Sequence, residues 1–134
     1  MNSLQLYGLA AARVLVGVVF LAIGFGIIPQ ARAARALGDH GAPGALVPLL
    51  MLAGRTIEIV GGFGLILSIY PQIAAIAVIA FLIPATPVGH GFWQVRGTPK
   101  YIPQLLQFLK NAAMTGGLLF IAATPNQPAL FPRF

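Results

Sequence analysis

Apolar positions in this chain are gathered into four long stretches, residues 6–28, 47–69, 73–88 and 102–123, and polar positions fall mostly between them. Each stretch is close to the roughly 20 residues that carry an α-helix across about 30 Å of hydrocarbon. Backbone polar groups find no water in lipid, so all four are predicted to be helices. The connections fit an up-and-down order. Residues 29–46 hold Arg32, Arg35, Asp39 and His40 beside Gly38, Gly41, Pro43 and Gly44, which predicts a loop with one short interfacial helical turn. Tyr70-Pro71-Gln72 predicts a tight turn, and residues 89–99 carry Phe92 and Trp93, aromatics suited to the headgroup level. Pro84 and Pro87 each remove a backbone donor, so the third helix is expected to kink or end there. The predicted fold is all-α: a single membrane domain over residues 1–134, built as a transmembrane four-helix bundle with a kinked third helix.

Composition decides the solvent. Hydrophobic residues make up 58% of the chain, charged ones 7%, and the mean hydropathy is +0.90. A soluble domain carries roughly 25% charged residues. A bundle of short-looped spans uses the whole length and leaves no room for a soluble catalytic domain. The net charge of +6 comes from eight Lys and Arg residues scattered without a contiguous stripe, which argues against a nucleic-acid partner. With no cysteine, disulfides, a thiolate nucleophile and Cys-ligated iron–sulfur clusters are excluded. No basic segment precedes the first stretch and Arg13 interrupts it, so a cleaved signal peptide is not expected. Arg32, Arg35, Arg96 and Lys100 lie in the two long connections, whereas Arg133 is the sole basic residue of the opposite loop and tails. The positive-inside rule then predicts cytoplasmic connections and external termini.

Candidate chemistry begins with Glu58, the only acidic residue within the four stretches. A carboxylate in hydrocarbon requires a partner, and Arg55, Arg13 and Lys110 are the available cations. Arg55 stands at i−3, on nearly the same helical face. Gln107, Lys110, Asn111 and Gly117 form a similar series in the fourth stretch, and His90 follows the prolines at the rim of the third. These polar faces are expected to turn inward to one intramembrane site comprising Arg13, Arg55, Glu58, His90, Gln107, Lys110 and Asn111. The competing readings are plainer: a charge pair that sets helix register, a solvated or capping His90, interface anchors at Phe92 and Trp93, and amides that bridge helices. Neither histidine spacing nor clustered carboxylates suggests a metal or haem site. The apolar tail over residues 125–134, with Leu130, Phe131 and Phe134, is expected to pack on a neighbour or the interface.

Arg13, Gly17, Phe20 and Gly24, the R-x-x-E-x-x-G-G run from Arg55 to Gly62, His90-Gly91-Phe92-Trp93, and Gln107-Phe108-Leu109-Lys110-Asn111 with Gly116-Gly117 occur here in an order that resembles the DoxX family. The resemblance spans nearly the whole chain. One departure is that family members often carry a Lys soon after the first-span glycines, where this chain has Gly26-Ile27-Ile28-Pro29. The resemblance implies a four-helix membrane protein engaged in redox work alongside other subunits, the family including the large subunit of a thiosulfate:quinone oxidoreductase. It thereby implies a membrane subunit of a redox complex, with a quinone-interacting or docking role, in the inner (cytoplasmic) membrane of a bacterium or archaeon; the residues themselves offer no electron carrier. Arg55, Glu58, His90 and Lys110 are the residues expected to offer hydrogen bonds or protons to a quinone headgroup. The alternatives are a small-solute or proton transporter acting as a homo-oligomer, and a structural assembly factor.

Overall fold

The computed structural model of the protein describes residues 1–127, so the tail residues Leu130, Phe131 and Phe134 and the basic Arg133 lie outside the described residues. Five helices occur in the order α1 (Ser3–Gly24), α2 (Ala31–Asp39), α3 (Val47–Leu67), α4 (Pro71–Gly89) and α5 (Tyr101–Ala123), with a single 3-10 turn at Phe92–Val95, and no strand occurs among the described residues. Four of these helices are long and apolar enough to cross a membrane. The all-α membrane bundle is therefore the observed architecture.

Local sequence accounts for the helix ends. Asn2 caps α1: its side-chain oxygen accepts from the Gln5 amide at 2.9 Å, while the Gln5 side chain accepts from the Asn2 backbone at 2.8 Å. α1 stops at Gly24, four residues short of the predicted end, because the chain turns through Gly26 at φ +77°, a conformation open to glycine. Pro71 starts α4 where its missing donor costs nothing. α4 runs on through Pro84 and Pro87 and stops two residues later, at Gly89.

α1 packs chiefly on α3, α3 on α4, and α4 on α5. Glycines set how closely they pack. A Cβ placed on Gly17 would stand 2.6 Å from Ile66 Cγ1 and 2.8 Å from the Gly62 carbonyl oxygen, so α1 and α3 approach almost backbone to backbone. On the other side of α3, a Cβ on Gly61 would lie 2.5 Å from Val78 of α4. Between the helices lies a core of Phe20, Leu65, Ala75, Val78, Leu82, Leu118 and Ile121.

These contacts also fix register. Gly24 meets Glu58 and Ile59, and Gly17 meets Gly62 and Ile66. α1 therefore ends level with Glu58, eleven residues or about 16 Å inside the start of α3. In the half of the bundle that α1 does not reach, α2 packs on α3 and α4. The loop with one helical turn expected at residues 29–46 is thus corrected to a nine-residue helix. Ala33, Ala34, Ala36 and Leu37 are its half-buried positions, whereas Arg32, Arg35 and Asp39 are exposed. That amphipathic split holds it against the bundle.

Candidate functional site

Glu58 is 3% exposed. Its partner is none of the three cations expected from the sequence. Gln30, the residue just before α2, donates through Nε2 to both carboxylate oxygens, at 2.9 and 2.8 Å. The early end of α1 explains the exchange: the chain folds back at Gly26 and delivers Gln30 to the depth of Glu58. An amide satisfies the carboxylate without burying a second charge, which limits the desolvation that a buried ion pair would incur. Arg55, one turn toward the start of α3, is exposed and acts on Glu58 only through its field, with no ion pair within 4.0 Å among the described residues.

The other predicted site residues are dispersed. Arg13 is fully buried, but eleven residues or about 16 Å from Gly24 toward the opposite end of the bundle. There its Nη1 donates to Gln127 Oε1 at 3.0 Å, and Gln127 in turn donates to the carbonyls of Ile121 and Thr124, closing the end of α5. Asn111 donates to Thr86 Oγ1 at 3.1 Å and His90 Nδ1 lies 2.9 Å from Gln104 Oε1, so both tie α4, or the residue following it, to α5. Gln107 and Lys110 are exposed on α5. A single inward-facing cluster of seven residues is therefore not what the chain builds: one buried carboxylate with its amide, one buried arginine at the far end, and two helix-bridging pairs replace it. Phe92 and Trp93 likewise do more than mark the interface. Phe92 makes edge contacts with Trp93, Tyr101 and Phe108, at centroid distances of 5.1, 6.1 and 5.3 Å, which staple the 3-10 turn to α5.

Beside Glu58 lies an apolar groove of about 420 Å³ between α2, α3 and α4. Ala33 and Leu37 line it from α2, Gly54 and Ile57 from α3, and Phe81 and Pro84 from α4. Gln30 is the only polar side chain among its described lining residues. Its volume is in the range of about 300–1,000 Å³ typical of small-molecule sites, and one convergent polar group among apolar walls is their usual composition. With Nε2 committed to Glu58, the Gln30 side-chain oxygen Oε1 accepts no hydrogen bond among the described residues, while its backbone carbonyl accepts from the Ala33 amide at 2.9 Å. Gln30 escaped sequence reasoning because it lies within a segment read as loop. The signal was present in the alternation of Ala33 and Leu37 with Arg32, Arg35 and Asp39 at helical spacing.

Comparison with known proteins adds three findings. The family model DoxX matches residues 8–91. A curated relative, the inner membrane protein YqjF of Escherichia coli (strain K12), is 26% identical over 125 residues, which cover 92% of this chain and 88% of the relative. No solved structure matches.

Proposed function

The chain belongs to the DoxX family, and on that premise we propose that it is a membrane subunit of a redox complex that holds a lipophilic quinone or quinol in the groove between α2, α3 and α4. The observation that carries this reading is the pairing of an apolar groove of about 420 Å³ with one polar end, the Gln30 amide locked on Glu58. A quinone is a flat ring with oxygen at opposite edges and an apolar tail. Ala33, Ala53, Gly54 and Ala80 keep the groove wide enough for a ring, and Leu50, Ala53, Ala77 and Ala80 are exposed, which leaves a lateral opening for the tail. Arg55, His90 and Lys110 do not line the groove, so the headgroup is held at one edge rather than clamped at both.

Because the free atom of Gln30 is its side-chain carbonyl oxygen, the groove favours a ligand that donates a hydrogen bond there. The hydroxyl of a quinol fits that requirement and the carbonyl of a quinone does not. Electrons come from or pass to a partner subunit, and this chain binds, orients and shields the ring. The inner membrane is the compartment this reading assigns, in line with the name of the Escherichia coli relative.

Equilibrium binding of a short-chain quinol under reducing conditions, to protein held in lipid nanodiscs, tests the reading. Gln30→Met should weaken binding about tenfold, the worth of one hydrogen bond in a dry site. Ala80→Phe should fill the groove and abolish binding while Gln30 and Glu58 stay in place. Quinol binding undiminished in both variants sinks the proposal.

A further inference from the structure

Lys110 and Gln107 stand one turn apart on α5, both exposed, and neither makes a polar contact among the described residues. Lys110 is the tenth residue of a 23-residue span, about 14 Å from its first residue and close to mid-depth. Ionisable groups at that depth nearly always face protein or water and have a partner. A second feature lies along the same face. Gly117 follows Lys110 by seven residues, beside Gly116, and nothing stands within 4 Å of a Cβ placed on either glycine. At Gly17, Gly61, Gly62 and Gly64 the same Cβ would meet a neighbouring helix at 2.5 to 2.9 Å. Those four glycines are packing positions between helices, whereas the pair in α5 has no neighbour of its own chain within 4 Å of either Cβ position, as is also true of Gly8 in α1.

We infer that the face of α5 bearing Gln107, Lys110, Ala113 and Gly117 docks a transmembrane helix of a different protein that carries an Asp or Glu at mid-depth. Charge complementarity selects this occupant. A second copy cannot supply the carboxylate: the chain has two acidic residues, of which Glu58 is 3% exposed and holds the Gln30 amide, and Asp39 ends α2 away from mid-span. Two copies face to face would instead set Lys110 against Lys110. Ala113 and Gly117 allow the close backbone approach that brings a short carboxylate within reach of the ammonium. The rival occupant is a lipid phosphate, reached by Lys110 leaning toward the start of α5, the direction in which helical side chains point.

The test uses the full chain with Ser3→Cys as a labelling site, reconstituted in phosphatidylcholine vesicles with a labelled polyleucine transmembrane peptide carrying one central Glu, Gln or Leu. Energy transfer should report association of the Glu peptide, weakened about tenfold or more by Lys110→Met and by Gly117→Leu and restored by Lys110→Arg. Circular dichroism of each variant checks that the helices are intact. Equal association of the Glu and Leu peptides, or undiminished binding by a correctly folded Lys110→Met protein, overturns the inference. So does Lys110-dependent transfer between two copies of the chain, or displacement of the peptide by phosphatidylglycerol added to the vesicle.

Discussion

A carboxylate deep in a membrane bundle is held here by a neutral amide, and that choice sets what each partner is worth. Gln30 Nε2 donates to both Glu58 oxygens, at 2.9 and 2.8 Å. Removing the donor strands a charge, whereas removing the charge leaves an amide that still has polar company. Gln30→Leu should therefore lower stability by about 2–3 kcal/mol, the range for losing hydrogen bonds to a charged group, and Glu58→Gln by only about 1 kcal/mol. The double variant Gln30→Leu/Glu58→Leu, which removes both partners, should be more stable than Gln30→Leu alone. Unfolding by graded sodium dodecyl sulfate, followed by circular dichroism, measures all three. A Glu58→Gln protein less stable than Gln30→Leu would mean that Arg55, not Gln30, is the main counterpart of the carboxylate.

Among the helices, close approach governs, and two glycines of the same helix make opposite predictions. Gly17→Ala drives a methyl to within 2.6 Å of Ile66 and 2.8 Å of the Gly62 carbonyl, so α1 must move away from α3 at a cost of about 1–3 kcal/mol. Gly8 has nothing within 4 Å of its Cβ position, so Gly8→Ala should stabilise α1 by up to about 1 kcal/mol. Thermal unfolding in detergent separates the two, and a neutral Gly17→Ala would show that the α1 and α3 contact is not tight. The four spans were legible in the sequence because length and hydropathy are enough to specify a helix in lipid. α2 was not, because a nine-residue amphipathic helix bounded by glycines and a proline has the composition of a loop and is held by α3 and α4 rather than by its own propensity. With α2 misread, Gln30 and the groove were invisible, and Glu58 was matched to cations by charge and, for Arg55, by helical spacing. Neither could reveal that α1 ends beside Glu58, nor that Lys110 and Gln107 face outward.

For the whole molecule, the distribution of charge predicts how the groove meets the membrane. Four spans bring the N-terminus and the end of α5 to one side and place α2 and the 3-10 turn on the other. Arg32, Arg35, Arg96 and Lys100 all belong to that second side, where they are exposed, while Arg13 at the opposite end is fully buried and offers translocation no surface charge. The bias predicts that the α2 side is cytoplasmic. A cysteine at Ser3, in a chain that has no other, should react with an impermeant maleimide in intact cells, and one at Thr98 only after the membrane is opened. Labelling in the reverse order would invert the molecule. The consequence reaches the site: the groove spans the half of the bundle that α1 leaves to α2, so its ligand would enter laterally from the cytoplasmic leaflet. Exchanging the bias, with Arg96→Ala and Lys100→Ala on one side and Ser3→Lys and Gln5→Lys on the other, should yield a population inserted both ways. In that population each opening of the groove would follow its own α2, and quinol supplied from one leaflet would reach only the matching fraction.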